Sequence, residues 1–276
     1  MSLKAMLKSY AKKITPKALW KPLSNAYWWW INRGNHQLAG LFSSRRRKSV
    51  RKLQSYRDLH TGQRCFILGN GPSLREMDLA LLQDEITFGM NRIYLLFSEM
   101  GYQTTYYLAI NTLVIEQSAN DIASLPMPKF ISWRARNWME LQENTVFIDT
   151  DYTPPANFAT DSTGRIFEGS TVTYVAMQLA FHMGFQKVYI IGVDHSFHTK
   201  GPPNTTVAAG EVDQNHFSPD YFSKGYRWQL PDLEASEEAY QLAKITFEKS
   251  GRQILDATTG GKLTIFPKVE YHSLFR

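Results

Sequence analysis

Ten residues at positions 65–74, Cys-Phe-Ile-Leu-Gly-Asn-Gly-Pro-Ser-Leu, join an apolar run to a glycine-rich turn and then to a helical pattern. A strand that delivers a loop to an anion has this order of types. Gly69 and Gly71 can adopt positive φ and admit close approach of backbone to a ligand, while Pro72 fixes φ where a helix would begin. Ser73 could cap a helix from Leu74 onward, whose free N–H groups and positive dipole end attract phosphate. Asn70 stands at the loop's tip. A plain left-handed turn closing a β-α unit would use the same residues, and neither the dinucleotide spacing nor a Walker lysine is present.

Further polar side chains follow other apolar runs: Asn91 after 85–90, Asn111 after 105–110 and Asp194 after 187–193. Amides donate and accept, which suits a base, a ribose or a sugar better than a metal. Each alone is also an ordinary turn or cap residue. Gly169, Ser170 and Thr171 open a strongly helical run and could hold a second anionic group or simply cap that helix. Histidines carry protons near neutral pH. Of the seven, His216 stands out, in Asp-Gln-Asn-His-Phe-Ser-Pro-Asp-Tyr within a segment rich in Gly, Pro, Asn and aromatic residues. His195 and His198 are its rivals, and His182 falls inside a packed helix. The lone Cys65 excludes internal disulfides and cysteine metal clusters and reads as a packed, inert thiol.

The elements that must position these groups alternate after residue 60. Strand-like runs occupy 64–68, 85–90, 105–110, 129–133, 145–148, 187–193 and 253–257. Between two of them, 171–183 carries an apolar stripe of Val172, Val175, Ala176, Leu179, Ala180 and Met183 and stops at Gly184. A second helix over 236–249 turns Ala239, Leu242, Ala243, Ile245 and Phe247 mostly inward. This alternation predicts an α/β fold: a Rossmann-like, doubly wound, mainly parallel sheet, with ligands at the carboxyl ends of its strands. Residues 195–233 are too long for an ordinary connection and predict a lid.

Charge divides the chain. Residues 1–57 hold fourteen Lys or Arg and no Asp or Glu, leaving 17 basic against 25 acidic residues in the remainder. We therefore read 1–60 as a basic, helical, aromatic-rich arm and 61–276 as one domain. Leu3, Met6, Leu7, Tyr10 and Ile14 recur at helical steps among Lys4, Lys8, Lys12 and Lys13, and Tyr27 to Trp30 offer rings suited to a headgroup layer. Charge-free stretches in the arm reach 11 residues, as at 22–32, about half of the ~20 needed to span a bilayer. The arm also lacks a signal peptide's apolar core. These features predict a cytoplasmic protein, peripheral on the inner face of an anionic membrane. Packing of the arm on the body or on another subunit of an oligomer is the alternative, with nucleic acid the least favoured partner.

Taken in order, Phe66-Ile-Leu-Gly-Asn-Gly-Pro-Ser-Leu74, Gly89-Met-Asn-Arg92, Ala109-Ile-Asn111, Gly169-Ser-Thr-Val172 and Gly184-Phe-Gln-Lys-Val-Tyr-Ile-Ile-Gly-Val-Asp194 resemble the sialyltransferases of glycosyltransferase family 42. They also resemble a broader group that includes flagellin-modifying motility accessory factors and 6-hydroxymethylpterin diphosphokinases. The resemblance spans residues 62–260, and the order of the motifs is its specific part. It implies a single Rossmann-like domain with a lid, requiring no metal or other cofactor. Gly69, Asn70, Gly71, Pro72, Ser73, Asn91 and Asn111 would contact a CMP-sugar, and His216 would act as general base in an inverting transfer to a glycan or lipid-linked acceptor. The sialyltransferases place two tyrosines after the Gly-Ile-Asp strand end. Here that stretch reads His195, Ser196, Phe197, His198, so His195, His198, Lys200 or the later Tyr221 would meet the leaving phosphate, and the donor would be a nonulosonic or related keto-sugar acid. The kinase branch instead implies ATP with Mg²⁺ on carboxylates, Asp194 and Asp78 being nearest. A non-catalytic nucleotide-binding protein is the third reading.

Overall fold

A computed structural model describes residues 42–153 and 157–276, together with Pro16 and Pro22. The amphipathic pattern over 3–14 and the aromatic run over 27–30 lie outside the described residues. The chain divides into two compact units, Met1–Arg46 and Arg47–Arg276. Residues 47–60, assigned to the arm by charge alone, thus fall within the larger unit. Helix α1 (Ser44–Tyr56) explains why: Ser49 and Leu53, one turn apart, are buried. Ser49 Oγ accepts from the Phe147 N–H at 3.0 Å, and Tyr56 meets Tyr106 and Phe130 edge-on. Arg47, Lys48 and Arg51 face solvent.

Eight parallel strands make the sheet. β1 (Arg64–Leu68), β2 (Thr87–Met90), β3 (Tyr106–Ala109), β4 (Lys129–Ser132), β5 (Thr145–Asp151), β6 (Arg165–Phe167), β7 (Lys187–Ile191) and β10 (Gln253–Asp256) stand in the order β10-β7-β1-β2-β3-β4-β5-β6. Leu68 registers with Gly89 on one side and Ile191 on the other. After β1 the chain steps outward to β6, then returns to lay β7 and β10 on the opposite side. The order of strands therefore reverses between β1 and β7, and a crevice opens there at the carboxyl ends. Central strands buried on both faces demand continuous apolar runs, and Cys65, Phe66, Ile67 and Leu68 are fully buried. Burial also pushes the Cys65 thiol well up, keeping it protonated.

Every strand predicted from the sequence is present. β6, of three residues, was not foreseen, nor was the lid hairpin of β8 (Thr206–Ala208) and β9 (Arg227–Gln229). Short helices α2 (Phe97–Met100), α3 (Thr112–Gln117) and α4 (Ala119–Ser124) follow β2 and β3. Two long helices cover the core: α5 (Val172–His182), capped by Thr171, and α6 (Leu233–Lys249), capped by Asp232. α6 begins three residues before its predicted start, because Asp232 accepts from the Ala235 N–H at 3.1 Å. The helix expected from Leu74 is instead a five-residue 3-10 turn, Pro72–Glu76, with no side-chain cap. His182 is buried and bonds the Leu53 carbonyl at 2.8 Å, a packing role.

Lys129, at the start of β4, is 0% exposed. Its ammonium donates to the carbonyls of Ala123 and Leu125 and to Gln142 Oε1, at 2.9, 3.0 and 2.7 Å. Burial lowers its pKa from 10.5 to about 8. Between those two values the unfolded chain binds more protons than the folded one, so stability rises with pH. Cys65 and the buried tyrosines, whose pKa values burial raises, pull the other way as their unfolded forms ionise, so the lysine is read as a difference: between pH 7.5 and 9.5 in urea unfolding, the stability of the unsubstituted protein minus that of Lys129→Met should rise by about 2 kcal/mol. A difference that does not change with pH would refute this.

Candidate active site

The crevice between β1 and β7 is built by close approach of two loops. A Cβ on Gly69 would lie 2.1 Å from the Gly192 carbonyl oxygen, and one on Gly71 1.7 Å from Asp194 Oδ2. Glycine is required here for contact, since neither residue takes positive φ. The loop's N–H groups serve protein acceptors: Gly69 to Ile191 O at 2.7 Å, Gly71 to Gly192 O at 2.9 Å, and Ser73 to Asp194 Oδ1 at 3.2 Å. Ser73 Oγ donates to Asp194 Oδ2 at 2.8 Å. Burial raises the Asp194 carboxyl, the Ser73 hydrogen bonds oppose that, and Glu76 adds to it. The expected phosphate cradle is therefore filled by Asp194, and Ser73 is its partner rather than a helix cap.

Beside these loops lies a cavity of about 150 Å³. Gly69, Asn70 and Gly71 face Gly192 through Phe197 across it. Ser170 to Thr173, at the N-terminus of α5, form one side, and Leu233, Ser236 and Tyr240 of α6 form another. Asn215 and His216 contribute from the lid. Thr171 Oγ1 accepts from the Thr173 N–H and lies 3.3 Å from Tyr240 Oη. Ser170 holds φ of 59°, a conformation non-glycine residues adopt at a cost.

His216 is the best-held side chain in the cavity. Its Nδ1 lies 2.8 Å from Asp213 Oδ2, its ring stacks on Tyr221 at 4.0 Å and 7°, and Phe222 and Trp228 meet it edge-on. A carboxylate only accepts, so Nδ1 carries the proton and Nε2 offers a lone pair. Burial pushes the Asp213 carboxyl up, but the hydrogen bond and charge of His216 and the N–H groups of Asn215 and Phe222 outweigh it, leaving it below the usual value. The lid is tied to the glycine loop as well: the Phe217 N–H donates to Asn70 O at 2.9 Å, and Arg75 donates to Phe217 O.

A second histidine enters the same cavity. His195, at φ 54°, places Nε2 2.7 Å from Glu237 Oε1 of α6. Two amide oxygens, Asn70 Oδ1 and Asn91 Oδ1, are buried with no partner. An unsatisfied buried acceptor costs about 1–3 kcal/mol; Asn70 follows β1 and lines the cavity, whereas Asn91 follows β2 on the other side of β1.

Other candidates lie elsewhere. Asn111 Oδ1 caps α3 through the Leu113 N–H at 2.9 Å, and its Nδ2 donates to Gln229 of β9 at 3.1 Å. Tyr221 is buried, its hydroxyl accepting from the Arg92 N–H at 3.2 Å; it supports His216 rather than facing the cavity. His198 and Lys200 are exposed and, like Pro72, Asn91 and Gly169, do not line it. Sequence reading missed Asp213, which the Asp-x-x-His spacing could have revealed, and Glu237, which carries no local signal. Among the described residues no three His, Cys, Asp or Glu converge as a metal-holding group, and no helix is long and apolar enough to cross a membrane.

A solved structure, the MAf glycosyltransferase from Magnetospirillum magneticum AMB-1, is similar over 83% of this chain and 39% of its own, at 13% identity and a TM-score of 0.48. The present chain thus spans about two fifths of that protein's length. No curated protein matches it. Residues 36–200 match the model of the 6-hydroxymethylpterin diphosphokinase MptE-like family. That match takes in more than half of the chain, from before α1 through the crevice to the start of the lid, and the chain belongs to the MptE-like family.

Proposed function

We propose that the protein is a glycosyltransferase that moves a sugar from a CMP-activated donor to a glycan or lipid-linked acceptor, with inversion and without a metal or other cofactor. The observation that carries this reading is the Asp213–His216 pair in the cavity. With Nδ1–H held by the carboxylate, Nε2 removes the proton of an acceptor hydroxyl, whose oxygen bonds to the anomeric carbon as the bond to the CMP phosphate breaks. The N-terminus of α5, with Ser170 and Thr171, supplies donors for the departing phosphate. Asn70 offers its unpartnered oxygen to a hydroxyl or amino donor of the nucleotide. A nonulosonic or related keto-sugar acid is the donor sugar the motif order suggests. The exposed basic face of α1 suits an enzyme held peripherally on an anionic inner membrane face.

The family's name favours a second reading, pyrophosphoryl transfer from ATP with Mg²⁺. Its two candidate carboxylates do not share the cavity. Asp194 is engaged by Ser73, and Asp78 caps the 3-10 turn Leu79–Leu82 through the Ala80 N–H, away from the cavity lining. A thermal-shift screen with CMP, CDP, UDP, GDP and ATP, each with and without Mg²⁺, separates the two. CMP at a hundred times its Kd should stabilise the fold by about 2.7 kcal/mol, without Mg²⁺. Stabilisation by ATP only with Mg²⁺ would overturn the glycosyltransferase reading.

A further inference from the structure

Arg92 ends the Gly89-Met-Asn-Arg92 motif after β2 and does not line the cavity, yet it holds the lid at several points. Its backbone N–H donates to Tyr221 Oη at 3.2 Å. Its guanidinium donates to the carbonyls of Tyr221 and Asp220, the latter at 3.3 Å, and Nε to Tyr94 Oη at 3.3 Å. The same cation lies 5.2 Å from the Tyr226 ring centroid and 6.0 Å from that of Tyr221. Tyr221 is the ring on which His216 stacks.

We propose that Arg92 is a positioning residue that orients His216 through Tyr221 and anchors the lid that carries it. This rests on the reading of His216 as the base. The contacts to residues 220 and 221 go to backbone carbonyls, so they fix the path of the lid whatever its side chains. Together with the Arg75 and Asn70 contacts to Phe217, they pin the segment that joins the two members of the stacked pair. Only a planar guanidinium can serve two carbonyls and a phenol while stacking on rings; an ammonium of equal charge cannot.

The test compares Arg92→Lys and Arg92→Ala with the unsubstituted protein. Its readouts are CMP release from CMP-N-acetylneuraminic acid, CMP affinity by calorimetry, melting temperature, and proteolysis within 195–233 in the absence of ligand. A displaced base costs about a hundredfold in kcat, so Arg92→Lys should lose about that much, keep CMP affinity within about threefold, and expose the lid to faster cleavage. Millimolar guanidinium should restore part of the turnover of Arg92→Ala, which a purely structural role would not allow. Arg92→Lys with unchanged turnover and an equally protected lid would overturn the proposal. If the unsubstituted protein neither binds CMP nor releases it, proteolysis still decides: faster cleavage in Arg92→Lys keeps Arg92 as the lid's anchor while the glycosyl-transfer reading falls.

Discussion

Alanine at position 216 is expected to lower release of CMP from CMP-N-acetylneuraminic acid about a hundred- to ten-thousand-fold, the span of general-base assistance, with CMP affinity nearly intact. The affinity should survive because the amide of Asn70 and the N-terminus of α5 do not depend on the imidazole. Asp213→Asn is a stricter companion. Its amide can turn an N–H toward Nδ1, which forces the proton onto Nε2 and removes the lone pair that would accept from the acceptor hydroxyl. Since Asp213 and His216 act as one unit at 2.8 Å, the double substitution should cost little more than His216→Ala alone. An active His216→Ala protein, or clean additivity of the two losses, would remove His216 from the chemistry.

Gly69→Ala should produce the largest loss of stability among the crevice residues. The added methyl would meet the Gly192 carbonyl oxygen at 2.1 Å, and that oxygen already accepts the Gly71 N–H, so the β1 and β7 loops would have to part. Overpacking of this kind costs about 1–3 kcal/mol, or roughly 3–10 °C of melting temperature in a domain of this size. CMP-induced stabilisation should fall with it, because the parted loops are the floor of the site. Gly164→Ala is the matched control, with nothing within 4 Å of its added carbon. Equal melting temperatures for the two variants would show that the loops tolerate separation.

The sheet was legible because central parallel strands need uninterrupted apolar runs, and Cys65 to Leu68 or Lys187 to Ile191 can do little else. β6 was not, because Arg165–Phe167 is three residues long and its place depends on β5, with which it pairs. The stripe of α5 was read correctly, whereas in α6 Ile245, expected inward, is 38% exposed and Tyr240 is buried instead. The helix turns its inner face toward the cavity as well as the core, which periodicity alone does not register. Asn70 and His216 meet through the lid's bond from Phe217 to the glycine loop, a contact between residues far apart in sequence. Asn111 takes the cap that its position also allowed: its amide oxygen accepts from the Leu113 N–H of the helix it precedes, the ordinary use of asparagine at such a position.

The reversal of strand order has a consequence for biosynthesis. β1 acquires its neighbour β2 soon after leaving the ribosome, but its other partner begins only at Lys187. At ~5–20 residues per second, a nascent chain translated through β6 would display one unpaired, apolar edge of β1 for seconds before β7 is available to cover it. Unpaired strand edges recruit other chains, so ribosome-bound intermediates halted between β6 and β7 should be chaperone clients, while those released after β10 should not.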